Sequence, residues 1–195
     1  GAVNTVHNSN GRLLGYNTDC SGLVRDLKEA MEIKGGTLVV LGAGGTSRAA
    51  VFGIIQEGGE VVVVGRNEAK ARSLASEFGC RYHPLSQIST LQADCLINTT
   101  PVGMYPHVEE SPVDREVPAN YRLVVDVIYN PLRTKLLRDA GTAGKEARSG
   151  VGMFVNQGAD QIKIWTGIEP PRTLMKQTVI GALEKKYGNQ THQAY

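Results

Sequence analysis

From Thr37 to Ala50 the chain reads Thr-Leu-Val-Val-Leu-Gly-Ala-Gly-Gly-Thr-Ser-Arg-Ala-Ala, an apolar run set directly against a glycine cluster and followed by helix-forming residues. A run that is apolar at every position suits a strand covered on both faces. The glycines then permit a tight reversal into a helix. Gly42 allows the turn itself, and Gly44 leaves backbone bare where an anion can approach without meeting a Cβ. Beyond it, the N–H groups and partial positive charge of a helix start face that anion. This is the local pattern of a dinucleotide diphosphate site, with Ala43 and Gly45 completing the turn. The third fingerprint position departs from the pattern, because it holds Ser47 where Gly or Ala is usual. A second apolar run, Val61 to Val64, follows at the spacing of a strand, helix, strand unit, which is the context the motif requires.

Two further runs, Cys95–Ile97 and Leu123–Ile128, extend the series. Between runs, Ala71, Leu74, Ala75 and Phe78 share one helical face, with Asn67 placed to cap its start and Gly79 its end. The alternation predicts an α/β fold, a Rossmann-like doubly wound parallel sheet, accompanied by the remnant of a second α/β substrate domain. Ahead of the glycine turn, Ala2–Val6 and Leu13–Tyr16 flank Asn10-Gly11, a hairpin signal. Cys20, Leu23, Val24, Leu27 and Met31 then fit a one-faced helix that exits at Lys34-Gly35-Gly36. Two strands bury little by themselves, so this N-terminal unit reads as incomplete. Gly152–Trp165 and Thr173–Tyr187 read as helices separated by Pro170-Pro171. The expected division is 1–34 as the C-terminal part of a substrate domain with its linking helix, 35–168 as the cofactor domain, 169–188 as a helix returning to the substrate domain, and 189–195 as a loose polar tail.

The chain has 195 residues and a formal net charge of +2, from 21 Lys and Arg against 19 Asp and Glu. That balance offers no broad footprint for nucleic acid, so any anion binding is local. Its three cysteines, Cys20, Cys80 and Cys95, are widely spaced without metal-ligand partners, which predicts neither a disulfide framework nor a metal site. No apolar stretch approaches the roughly 20 residues needed to span a bilayer, and no signal peptide is visible. A cytoplasmic protein is expected, or a plastid one if the source is a plant.

The exit of the second cofactor-domain strand separates the two nicotinamide coenzymes. An NAD site usually places Asp or Glu there to bind the ribose hydroxyls. Here the sequence is Gly65-Arg66-Asn67. A carboxylate would repel a 2′-phosphate, whereas the Arg66 guanidinium forms paired, charge-assisted bonds with one and stacks on adenine. NADP(H) is the expected coenzyme. Lys70, about one helical turn on, either adds charge to the same pocket or belongs to a solvated face.

Five segments together, Gly1-Ala-Val-Asn-Thr5, Gly15-Tyr-Asn-Thr-Asp19, Gly42-Ala-Gly-Gly45, Asn98-Thr-Thr-Pro-Val-Gly-Met104 and Gly152-Met153 through Gln157-Gly158, resemble the shikimate dehydrogenase family. The resemblance covers essentially the whole chain. It implies NADPH-linked reduction of 3-dehydroshikimate to shikimate in aromatic amino-acid biosynthesis, with a quinate/shikimate dehydrogenase or a non-catalytic ligand sensor on the same fold as alternatives. It also implies that Asn4 and Asp19 bind ring hydroxyls, and that Asp19 is the carboxylate half of a catalytic Lys-Asp pair. Without the resemblance, Asp19 reads as an acid at a helix start and Asn4 as a strand-end residue.

The family's catalytic Lys belongs to an upstream segment that this sequence does not contain, and Lys28 and Lys34 do not match it. The 195 residues alone are therefore expected to bind NADPH but to show little or no shikimate oxidation. Thr99, Pro101 and Val102 are expected at the cofactor groove, as are Ile128, Gly150 and Met153. Tyr129 and Gln157 are expected near substrate. Plain packing is the competing reading for Ile128, Tyr129 and Met153, and a solvated face for Gln157. Two further alternatives are that the chain is a proteolytic piece of a longer enzyme or the tail of a multifunctional pathway enzyme, whose other domains would be partners.

Overall fold

Strand β3 (Thr37–Leu41) runs through the glycine turn into helix α2 (Gly45–Gln56) and returns as β4 (Glu60–Gly65), parallel to β3 with Leu38 opposite Val61 and Leu41 opposite Val64. The structure, a computed structural model, describes residues 1–187, so the expected tail at 189–195 lies outside the described residues. Helix α3 (Glu68–Phe78) leads to β5 (Arg81–Pro84), and then come β6 (Ala93–Asn98), β7 (Tyr121–Asp126), α4 (Lys135–Thr142), β8 (Glu146–Arg148), α5 (Val151–Thr166) and α6 (Arg172–Tyr187). The six strands from β3 onward form one parallel sheet in the order β5-β4-β3-β6-β7-β8. Connection direction reverses between β3 and β6, which opens a crevice at their carboxyl ends.

The uninterrupted apolar runs are explained by two cores, one on each face of the sheet. Val40, Val63, Ile97 and Val125 point to one face, where Leu23, Leu27, Ile54, Leu74 and Met153 cover them. Their neighbours Val39, Val62, Leu96 and Val124 point to the other, under Leu136, Leu137 and Ala140 of α4. Strand alternation thus uses every residue. Caps fall where the sequence places them for α3: the Asn67 side chain accepts from the Lys70 N–H at 3.0 Å, and Gly79 takes φ 65°.

Strands β1 (Thr5–Ser9) and β2 (Arg12–Tyr16) pair as a hairpin apart from the large sheet, with Ser9 opposite Arg12. Asn10 and Gly11 have φ of 52° and 87°, the two positive values a type I′ turn needs. The first strand therefore lies later than the expected Ala2–Val6, because the turn and not the apolar run sets the register. Helix α1 (Asp19–Lys28) is shorter than its pattern implied. It ends at Lys28, yet Met31 remains in the core, since the Ala30 and Met31 N–H groups both bond back to the Leu27 carbonyl. Likewise β7 stops at Asp126, before Ile128.

Helices α1 and α5 pack closely at Gly22, where a Cβ would stand 2.9 Å from both the Gln157 nitrogen and the Met153 carbonyl oxygen. Asp26, 1% exposed, reaches Arg148 at 3.0 Å, and a side chain at Gly152 would overlap its carboxylate. No helix of the described residues is long and apolar enough to cross a membrane.

Candidate active site

A cleft of about 710 Å³ opens at the crevice, walled by the exits of β3, β4 and β6. Gly42, at φ 120°, turns the chain in a conformation that L side chains rarely adopt. Nothing lies within 4 Å of where a Cβ at Gly44 would be, so the backbone there is bare to the cleft. The first helical N–H to bond within α2 is that of Arg48, to the Gly44 carbonyl at 3.0 Å. The N–H groups of Gly45, Thr46 and Ser47 thus precede the helix's own hydrogen bonding and form its positive end.

Arg66 and Lys70 are exposed side chains lining the same cleft, which brings together the residues that the sequence marked from two different strand exits. Asn67 lines it too, but its side-chain oxygen is spent on the α3 cap. Thr99, Pro101 and Val102 form the β6 side. Sequence reasoning missed the far wall of Leu85, at the start of a short 3-10 helix, and Glu110, Ser111 and Pro112, from a loop; neither segment carries a motif. A bare glycine backbone at a helix N-terminus, with two cations at the next strand exit, fits a dinucleotide carrying an extra phosphate.

The loops that flank the cleft are braced from below. Asp126 is fully buried, and its carboxylate accepts from the Asn98 amide at 3.1 Å, the Ile128 N–H at 3.1 Å and the Thr134 hydroxyl at 2.7 Å. Burial pushes its pKa up to about 6, against the lowering effect of those donors. Asn98 in turn accepts from the Thr100 N–H and hydroxyl at 3.0 and 2.7 Å.

A second cluster gathers at the start of α1. The Asn4 amide donates to Asp19 Oδ1 at 2.9 Å and to Thr18 Oγ1 at 3.0 Å, while its oxygen accepts from the Thr18 N–H at 2.9 Å and the Thr5 hydroxyl at 2.8 Å. Thr18 Oγ1 also lies 3.5 Å from Gln157 Oε1, so Asn4, Asp19 and Gln157 converge around the buried Thr18, to which sequence reasoning assigned no site role. Among the described residues no ion pair joins a Lys or Arg to Asp19. Tyr129 is 38% exposed and stacks on Phe154, ring centroids 4.2 Å apart.

Three residues expected at the cofactor are not among the residues that line this cleft. Met153 is 6% exposed and packs in the core, and Ile128 is 5% exposed. Gly150 is buried against the end of β7, where any side chain would overlap the Val127 carbonyl, so a packing constraint accounts for that glycine.

The profile of the Shikimate / quinate 5-dehydrogenase family matches residues 25–131, and that of the Shikimate 5′-dehydrogenase C-terminal domain matches residues 150–180. The shikimate dehydrogenase (NADP(+)) of Methanosarcina mazei is 43% identical over 94% of this chain and 70% of its own length. A crystal structure of shikimate 5-dehydrogenase from Thermus thermophilus, in complex with NADP(H) and shikimate, superposes with a TM-score of 0.85 at 40% identity, covering 94% of this chain and 69% of that one. A chorismate mutase/shikimate 5-dehydrogenase fusion protein from Clostridium acetobutylicum gives 0.84 at 36% identity, covering 97% and 68%. With the strand order, the bare glycine turn and the Asn4–Asp19 cluster all in one chain, these matches establish that it belongs to the shikimate dehydrogenase family.

Proposed function

We infer that the chain serves the NADPH-dependent reduction of 3-dehydroshikimate to shikimate. The observation that carries this reading is Arg66, exposed in the same cleft as the bare Gly44 backbone, at the strand exit where an NAD site would hold a carboxylate. Residues 35–168 then act as the coenzyme domain, and residues 1–34 and 169–188 belong to the substrate side. NADPH, when bound, supplies the hydride that reaches the ketone carbon. Arg66 and Lys70 hold the 2′-phosphate, with Asn67 shaping the pocket as the cap of α3. Gly42 to Gly45 admit the diphosphate to the start of α2, and Thr99, Pro101 and Val102 form the opposite wall.

On the substrate side, Asp19 and Asn4 hold ring hydroxyls, and Gln157 and Tyr129 border them. As hydride arrives, negative charge grows on the ketone oxygen and a proton has to be delivered there. An ionised Asp19 accepts hydrogen bonds and orients a cationic donor, but it supplies no proton itself. Its observed partner is the neutral Asn4 amide. The 195-residue polypeptide assayed alone is therefore expected to bind NADPH and to oxidise shikimate little or not at all. The fusion seen in the Clostridium protein supports a multidomain setting.

Calorimetric titration with NADPH and NADH tests the coenzyme reading: NADPH binds at least about tenfold more tightly, the effect of one charge-assisted contact. Equal affinity, or preference for NADH, overturns it. Steady-state assays with shikimate and quinate test the rest, and normal turnover by the 195 residues alone overturns the claim of a missing donor.

A further inference from the structure

Beneath the glycine turn, four groups drawn from Leu41, Gly44, Ser47 and Thr99 form one line of hydrogen bonds whose direction is fixed by chemistry. The Leu41 carbonyl can only accept, so the Thr99 hydroxyl commits its single proton there, at 2.6 Å. The 2.7 Å contact between Ser47 Oγ and Thr99 Oγ1 must then use the Ser47 proton. Ser47 Oγ, left with lone pairs, accepts from the Gly44 N–H at 3.0 Å. Ser47 is fully buried, and a Cβ at Gly42 would stand 2.7 Å from both hydroxyl oxygens. The departure from Gly or Ala at the third fingerprint position thus has a partner across the sheet, at the exit of β6.

We propose that Ser47 and Thr99 are positioning residues for the coenzyme diphosphate, forming a latch that fixes the turn through its backbone. The latch holds the Gly44 N–H inward, away from the anion, and aims the next three N–H groups, Gly45, Thr46 and Ser47, at it. Both hydroxyl protons are consumed within the latch, so neither side chain donates to the coenzyme. This proposal rests on the NADPH reading above, and it predicts that only ligands carrying the diphosphate depend on the latch.

The test is calorimetric titration of the 195-residue chain and its Ser47→Ala, Thr99→Val, Thr99→Ser and double Ser47→Ala/Thr99→Val variants, with NADPH and with adenosine 2′-monophosphate, which lacks the diphosphate. Loss of either link weakens NADPH about tenfold, the effect of one misaligned set of backbone donors. The double variant is no weaker than the weaker single by more than about twofold, because one broken link opens the whole line. Thr99→Ser keeps the hydroxyl and recovers most of the NADPH affinity that Thr99→Val loses. Adenosine 2′-monophosphate binds all variants alike, a separation that general loosening of the fold would not give. Unchanged or tighter NADPH binding by Ser47→Ala, additive loss in the double variant, or equal loss for adenosine 2′-monophosphate overturns the latch. A parent chain that binds adenosine 2′-monophosphate and not NADPH overturns it as well, while one that binds neither overturns the coenzyme reading beneath it.

Discussion

Arg66 is an exposed side chain, so the stability of the fold has little stake in it and its removal reports on binding alone. Arg66→Ala is expected to weaken NADPH by about 1.5–3 kcal/mol, the range for hydrogen bonds to charged groups, and to weaken NADH less, through the lost adenine stacking alone. Titration of both coenzymes checks this, and parallel loss of NADH would place Arg66 outside the 2′-phosphate pocket. Asp126 presents the opposite case, a buried carboxylate whose charge is a cost. Its folded-state pKa of about 6 stands above the ordinary 3.8, so between those values the folded chain keeps a proton that the unfolded chain has released. Its contribution to stability is therefore greatest below the unfolded value and declines as pH rises through the folded one, by on the order of 3 kcal/mol. Asp126→Asn should flatten that part of the pH profile, read as the difference between variant and parent urea midpoints from about pH 4 to about pH 6; a variant that follows the parent's slope would refute it. Arg66 was legible in the sequence because its meaning depends on the strand exit beside it. The Ser47–Thr99 contact was not, because it joins positions 52 apart in sequence, and no local pattern marks a hydroxyl's partner.

Among the elements, the crossing of α1 and α5 links the Asp19 cluster to the core on the large sheet, and it depends on the absence of a side chain at Gly22. A methyl group there would meet backbone of α5 at 2.9 Å on two sides, and backbone cannot rotate away. Gly22→Ala is expected to destabilise by about 1–3 kcal/mol despite the better helix propensity of Ala, since overpacking outweighs a gain of about 1 kcal/mol. Denaturant unfolding measures this, and a stabilised variant would mean that the helices sit farther apart. Element existence was readable wherever a strand is covered on both faces, as β3, β4, β6 and β7 are. The flanking strands β5, Arg-Tyr-His-Pro, and β8, Glu-Ala-Arg, carry no apolar run because they lie at the sheet's edges and pair on one side only. Hydrophobic periodicity has nothing to detect there. The same limit explains the misplaced ends of α1 and β7: Met31 and Ile128 are buried by chain that has already left the helix or strand, and burial alone does not distinguish the two.

For the whole molecule, the cleft matters because its walls come from three separate strand exits, of β3, β4 and β6, held together only through the sheet and the braces beneath the loops. A ligand that touches all three binds the folded chain and has no counterpart in the unfolded one, so it stabilises by mass action. At free NADPH about one hundred times its dissociation constant the gain is about 2.7 kcal/mol, and for a domain of this size each kcal/mol raises the melting temperature by roughly 2–4 °C. An increase of about 5–10 °C is therefore expected from thermal denaturation. NADH at the same concentration should give less, because Arg66 and Lys70 have no phosphate to hold. The hairpin of β1 and β2 forms a sheet of its own, apart from the large sheet, and none of its residues lines the cleft. Amide hydrogen exchange should accordingly slow at 42–47, 65–70 and 98–102 when NADPH binds and stay unchanged across the hairpin strands. Protection spread evenly over both units would mean that coenzyme binding draws the substrate side onto the sheet, and the cleft would then be only one part of a larger closing surface.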